Sequence, residues 1–147
     1  MEVINREAKY NYFILESIEC GIVLTGTEIK SIRDGRVNLK DSYALIRNHE
    51  VFLVNTHISS YKEGNLFNHE ERRSRKLLLH KREILKLENK INQDGLTLVP
   101  LKLYFSKNKV KILLGLCKGK KTYDKRETIK KRELDREASK LSKLNYK

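Results

Sequence analysis

The chain has 147 residues, 39% hydrophobic and 35% charged, with 32 Lys and Arg against 19 Asp and Glu, a formal net charge of +13. This length suits one core rather than two, and the composition excludes a wholly disordered chain. The longest stretches free of Asp, Glu, Lys and Arg, Val51 to Tyr61 and Cys20 to Thr27, fall short of the roughly 20 residues a spanning helix needs, and the positive balance argues for a polyanionic partner.

In chain order, Tyr12-Phe13-Ile14-Leu15 and Gly21-Ile22-Val23-Leu24 read as two strands. A helix is predicted over Thr27 to Asp34: Thr25-Gly26-Thr27-Glu28 has capping-box spacing, Ile29 and Ile32 share a face, and Gly35 can supply a left-handed cap. Tyr43 to Ile46 and Val51 to Val54 follow as strands, joined through Arg47-Asn48-His49-Glu50, where Asn tolerates left-handed backbone. Lys76 to Leu79 is a further strand. Lys81 to Gln93 is a second helix with Ile84, Leu87 and Ile91 on one stripe and Asp94-Gly95 as its stop. Leu96 to Phe105 and Val110 to Cys117 pair through a second hairpin at Ser106-Lys107-Asn108-Lys109, and Pro100, unable to donate to a ladder, belongs at an edge or a bulge. Short strands with these turns predict a mainly β protein with a few helices, an antiparallel sheet or small barrel.

Residues 118 to 147 hold 12 basic and 5 acidic residues and few apolar ones, with Leu134, Ala138 and Leu141 at helical spacing. The expected organisation is a barrel over residues 1–117 and a basic tail over 118–147, disordered alone and helical on a polyanion. Cys20 and Cys117 form no C-x-x-C pair and read as two buried thiols in a reducing compartment, and the acidic N-terminal residues lack the pattern of an export signal, so a cytoplasmic setting is expected.

Catalysis is not expected. The four histidines, His49, His57, His69 and His80, show no metal-ligand spacing, and phosphate-loop, dinucleotide and nucleophile-elbow motifs are missing, so neither a metal nor a cofactor is assigned. Glu70 and Glu71 lie beside Arg72, Arg73 and Arg75 and read as a self-neutralising loop. Binding features are stronger: Tyr10, Tyr12 and Phe13 beside Lys9, and Tyr104 and Phe105 before Lys107, Lys109 and Lys111, interleave rings with cations. In Arg72-Arg73-Ser74-Arg75-Lys76, four cations in five residues repel one another unless an anion joins them, which points to a phosphate contact.

Five blocks in order extend this reading: Gly21-Ile22-Val23-Leu24-Thr25-Gly26-Thr27-Glu28-Ile29-Lys30-Ser31-Ile32-Arg33-Asp34-Gly35; Asn38-Leu39-Lys40-Asp41-Ser42-Tyr43; Arg75-Lys76-Leu77-Leu78-Leu79-His80-Lys81-Arg82-Glu83-Ile84; Gly95-Leu96-Thr97-Leu98-Val99-Pro100-Leu101; and Gly119-Lys120-Lys121-Thr122-Tyr123-Asp124-Lys125-Arg126-Glu127. From about Asn5 to the C-terminus the chain resembles the SmpB family, the SsrA-binding proteins of bacteria. The resemblance implies an oligonucleotide-binding-type (OB-fold-like) antiparallel β-barrel with flanking helices and a basic tail. It further implies binding to the tRNA-like domain of transfer-messenger RNA (tmRNA), delivery to ribosomes stalled without a stop codon, and trans-translation. Alanyl-tRNA synthetase and elongation factor Tu would act on that RNA rather than through this chain.

By the same resemblance the RNA-binding residues would be Glu19, Leu78 and His80, with Lys111 and Tyr12 as weaker additions, Lys76 from the basic run, and Lys118, Lys120 and Lys121 gripping RNA at the tail's start. Gly119 would permit a sharp turn out of the barrel. Tyr123, Asp124, Lys125 and Arg126 would occupy the ribosomal decoding region, and Leu134 and Leu141 would support a helix in the empty messenger channel. Some family members carry Trp near Leu134, whereas this chain has none. The rival readings are a generic single-strand RNA binder, a structural ribosomal protein and a metal-dependent nuclease.

Overall fold

The structure, a computed structural model, describes residues 1–62 and 68–144, without the side chains of residues 122–124 and 137–144. Six antiparallel strands form a closed ring: β2 (Tyr12–Ile22), β4 (Tyr43–Arg47), β5 (Glu50–Val54), β7 (Arg75–Leu78), β8 (Thr97–Ser106) and β9 (Lys109–Gly119). They pair in the order β8-β4-β5-β7-β2-β9, and β9 returns to β8 to complete the circle. A short β1 (Glu2–Ile4) adds to β8, and β3 (Val37–Asn38) pairs with β6 (His57–Ile58) as a separate ladder. Inside the ring Val51, Leu53, Leu77, Leu98, Leu103, Ile112 and Leu114 are buried, with Ile32 of helix α2 (Gly26–Arg33) and Ile84 and Leu87 of helix α3 (Lys81–Asp94) packed on them. Alternation along β9 shows the cause: Val110, Ile112, Leu114 and Leu116 point inward, so Lys111 and Leu113 must face out.

Both hairpins form as two-residue turns. Arg47 pairs with Glu50 across Asn48 (φ 50) and His49 (φ 62), and Ser106 pairs with Lys109 across Lys107 (φ 52) and Asn108 (φ 65). Positive φ at both central residues matches the right-handed twist of the flanking strands. Pro100 sits where the β8–β9 register slips between Pro100 and Lys102, a bulge that spares the ladder its missing N–H. Helix α2 has the expected capping box, with Thr25 Oγ1 accepting from the Glu28 N–H and the Thr25 N–H donating to Glu28 Oε1 at 2.9 Å. Helix α3 ends at Gly95 (φ 63), whose N–H donates to the Ile91 carbonyl at 2.9 Å.

The two strands expected over Tyr12 to Leu15 and Gly21 to Leu24 are one, the 11-residue β2, which leaves Val23 and Leu24 outside it. Glu16, Ser17 and Glu19 look like an interruption, yet pairing with β9 carries the strand through them, with one register slip between Ile14 and Glu16. Strand β1 and helix α1 (Ala8–Asn11) have no sequence signal because each is too short to stand without its tertiary partner. The tail runs as helix α4 (Thr122–Leu144), anchored at its root where the Lys120 N–H donates to the Asn11 carbonyl at 2.9 Å. Among the described residues no helix is long and apolar enough to cross a membrane.

Candidate nucleic-acid interface

Strand register brings separate parts of the chain onto one outer face. Gly21 lies opposite both Leu78 and Lys111, and Lys111 lies opposite Tyr104, so Leu78, Gly21, Lys111 and Tyr104 form a row across four strands. Two residues along, Glu19, Leu113 and Lys102 form the next row. Side chains alternate along a strand, so both rows face the same way while Cys20, Ile112 and Leu103 between them are buried. Three of the expected positions, Glu19, Leu78 and Lys111, therefore converge although they are far apart in sequence.

Leu78 is 52% exposed, and its side chain lies across Gly21, where an added Cβ would come within 3.4 Å of it. An apolar side chain held flat on a polar sheet face is suited to contact an unpaired base or a ribose. At the other end of the row the Tyr104 hydroxyl donates a hydrogen bond to Glu19 Oε2. Lys102 places its ammonium 5.1 Å from the Tyr104 ring centroid and 3.5 Å from Glu2 Oε1. Desolvation, reinforced by the Glu19 carboxylate, pushes the Tyr104 phenol up to about 12, so it stays a donor at neutral pH. The sequence places Tyr104 among rings interleaved with cations but gives no sign of its pairing with Glu19, and it gives Lys102 no role. The available signal was their common parity on β8, with Leu103 between them pointing inward.

On β7, Lys76 faces out, 3.6 Å from Glu50, and His80 is the exposed N-cap of α3, its backbone N–H donating to Glu83 Oε1 at 3.0 Å. The other cations of the expected phosphate site are engaged within the protein. Arg75 is fully buried, its Nε donating to Glu28 Oε2 and its Nη1 to the Thr56 carbonyl at 2.7 Å. Arg73 Nη2 donates to Glu28 Oε1 at 2.5 Å, and Arg72 Nη1 donates to Asn55 Oδ1 at 3.0 Å. A buried carboxylate from another element supplies the anion that the arginine run requires. The self-neutralising loop also differs from expectation: Glu71 contacts His57 Nε2 at 2.5 Å and accepts from Ser60 Oγ, whereas the arginines turn to Glu28 and Asn55.

Tyr12, expected on the RNA face, is partly buried against a small apolar cluster of Ala8, Val99 and Cys117, with Leu101. Gly119 ends β9 opposite Tyr12 and does not have the left-handed φ seen at Gly35 and Gly95. Lys118 is exposed; Lys120 places its ammonium 4.9 Å from the Phe13 ring centroid and donates to the Lys9 carbonyl at 2.8 Å and Thr128 Oγ1 at 2.7 Å. The Lys121 carbonyl accepts from the Lys125 N–H at 3.1 Å, the Lys125 ammonium lies 5.7 Å from the Tyr10 ring centroid, and Arg126 is exposed. Leu134 is 58% exposed. The side chains of Tyr123, Asp124 and Leu141 lie outside the described residues. Arg132 and Arg136 of α4 share a groove with Arg6, Lys9 and Lys102 around an apolar floor that includes Leu101 and Leu113. Among the described residues no group of His, Cys, Asp and Glu could hold a metal ion.

A small closed β ring with one outer face of mixed cationic, apolar and aromatic side chains, and a basic helix leaving its rim, defines a protein of the RNA-binding class. The SmpB protein family model matches residues 2–144. The chain is 56% identical to the SsrA-binding protein of Enterococcus faecalis over 141 residues, covering 96% of this chain and 92% of that one. It is 60% identical to the SsrA-binding protein of Carboxydothermus hydrogenoformans over 142 residues, 97% and 95% of the two chains. A chain of the solved structure described as "tmRNA-SmpB: a journey to the center of the bacterial ribosome" superposes with a TM-score of 0.69 at 48% identity, over 82% of this chain and 85% of that one. The chain belongs to the SmpB family.

Proposed function

We propose that this protein binds tmRNA at its tRNA-like domain and carries it to stalled ribosomes for trans-translation, as an RNA-binding factor and not an enzyme. The observation that carries this reading is the match to SsrA-binding proteins over nearly the whole chain, ring and tail together. The six-strand ring is read as an OB-fold-like barrel whose Glu19, Leu78 and Lys111 face, with Lys76 and His80 at its margin, meets the RNA. Exposed lysines supply phosphate contacts, while Glu19 accepts from a base amino group or a ribose hydroxyl and repels a misplaced phosphate, which adds fit rather than bulk affinity.

The chain divides by role into the barrel, residues 1–117, and the tail, residues 118–147. The tail is sparse in apolar residues, with Leu134 exposed, as expected of a helix that is weak alone and is stabilised in a phosphate-walled channel. In this reading Lys118, Lys120 and Lys121 lie near RNA, Gly119 marks the exit, Tyr123, Asp124, Lys125 and Arg126 enter the decoding region, and Leu134 and Leu141 line the helix in the empty messenger path. The place of action is the cytoplasm, where ribosomes work.

The test is competition binding at near-physiological salt, with a labelled tRNA-like domain of tmRNA against excess ordinary tRNA and unstructured RNA. Preference for the tRNA-like domain by about tenfold, or about 1.4 kcal/mol, is expected. Equal binding of all three RNAs, weakening together as salt rises, would identify a generic RNA binder.

A further inference from the structure

The outer face is basic, and yet at its centre it carries a carboxylate whose partner is a phenol. Glu19 lies by register in the row of Lys102, next to the row of Lys111, and the side-chain donor described for it is the Tyr104 hydroxyl, 85 residues away in sequence. A carboxylate has two oxygens and about four acceptor sites, and Tyr104 engages Oε2. An exposed glutamate has three freely rotating bonds; one hydrogen bond to a ring fixed in a strand removes much of that freedom before any ligand arrives. Tyr104 is itself steadied, because β8 is paired on both sides at this residue, with Glu2 and with Lys111, and the Lys102 ammonium lies near its ring. The phenol is a neutral donor throughout the physiological range, so it orients the carboxylate without cancelling its charge as a lysine would.

We infer that Tyr104 is a positioning residue that holds the Glu19 carboxylate with Oε1 presented outward as an acceptor for a donor group of RNA, a base amino or a ribose 2′-hydroxyl. Selectivity for one RNA shape then has a local source, because phosphate cannot take that place. A lysine-only face would grade RNAs by charge, whereas a fixed acceptor accepts only a donor at the right position. The inference rests on the proposed tmRNA reading and adds to it a residue, a contact and a division of roles between two side chains.

A double-mutant cycle measures this on the full chain: wild type, Tyr104→Phe, Glu19→Ala and the double variant, each titrated with the tRNA-like domain and with ordinary tRNA, with thermal unfolding run alongside. Tyr104→Phe keeps the ring and removes only the donor. It is expected to weaken the tRNA-like domain about fivefold, as removal of one charge-assisted hydrogen bond should, with little change for ordinary tRNA and no change in unfolding temperature. In the Glu19→Ala background the same change should have less than about twofold effect, since the hydroxyl has nothing left to orient. Equal losses in both backgrounds, or no loss from Tyr104→Phe while Glu19→Ala is impaired, overturn the inference and leave the tmRNA reading standing. Failure of wild type to prefer the tRNA-like domain overturns that reading and this inference with it. Transcripts with 2′-deoxyribose, or with the exocyclic amino group removed (inosine for guanosine, purine riboside for adenosine, zebularine for cytidine), at the nucleotides the protein protects separate the two donor sources; if none reduces the effect of Glu19→Ala, the outward acceptor role is overturned.

Discussion

The guanidinium of Arg75 lies fully buried against the carboxylate of Glu28, 47 residues earlier in the chain. Arg73 closes the other side, and the Thr56, Glu70 and Glu71 carbonyls accept from the remaining Arg75 nitrogens. The triad joins helix α2, strand β7 and the segment before β7. Arg75→Ala would leave a buried carboxylate with one partner fewer, and a loss of about 3–5 kcal/mol is expected for breaking such a pair. Urea unfolding of the variant checks it; a loss below about 1 kcal/mol would show that Arg73 alone suffices.

Glu28 also sets an acid limb. Burial by itself raises its carboxyl, but hydrogen bonds from Arg73, the Thr25 N–H and Arg75 outweigh this and hold it below its ordinary 4.5. A carboxyl depressed in the folded state contributes stability that is complete above the unfolded value and is lost as pH falls through the folded one. Melting temperature should therefore decline below about pH 4.5, and Glu28→Gln should flatten that decline while lowering stability at pH 7.

Ser31 of α2 is fully buried, and its hydroxyl has no hydrogen-bond partner among the described residues. Ser31→Ala removes an unsatisfied polar atom with almost no change in volume, so stability equal to wild type or higher by up to about 1 kcal/mol is expected in denaturant unfolding. A clear loss of stability would mean that the hydroxyl is bonded in solution.

His49 occupies the second left-handed position of the β4–β5 hairpin with φ 62, where glycine is the favoured residue. His49→Gly should stabilise the protein by about 0.5–1 kcal/mol, less the weak contact of His49 Nδ1 with Glu88 at 3.8 Å. Chemical denaturation of the variant against wild type reads the sign.

Both cysteines are buried and free, and burial pushes the Cys20 thiol up to about 12 and that of Cys117 up to about 11. Neither should react with a water-soluble alkylating reagent at pH 8 in the folded protein, and both should react in denaturant. Rapid native labelling of Cys117 would show that the cluster of Ala8, Val99 and Cys117 opens readily.

Because ring and tail carry different side chains, deletion of residues 122–147 should leave most of the affinity for the tRNA-like domain and abolish peptide tagging on stalled ribosomes. Asp124, Lys125 and Arg126 changed together to Ala should behave alike. Parallel loss of binding and tagging would end that division.

Much of this architecture could be read locally. Asn48 and Asn108 mark their hairpins, Thr25 and Glu28 the start of α2, Gly95 the end of α3 and Pro100 its bulge, because each rule acts within a few residues. What escaped is what register alone creates. No short-range signal says that β9 pairs with β2 or β8 with β4, that β2 runs unbroken past Glu16 and Glu19, or that Tyr104 reaches Glu19. The arginine run shows the hazard most clearly: its like charges do require an anion, but the anion is Glu28, which locally reads only as a cap.

Ring closure has a further consequence, for behaviour in a crowded cell. An open sheet of six strands would present two long rims of unpaired N–H and C=O groups to any passing chain. Here every strand of the ring has a neighbour on each side, but the ladders β2–β7 (Gly21–Leu78, Ile22–Leu77) and β4–β8 (Ala44–Leu98) are short, so among the described residues the side of β2 away from β9 has no strand partner from Tyr12 to Cys20. Strand-on-strand addition is thereby confined largely to that stretch of β2, where the exposed charges of Glu16 and Glu19 disfavour it.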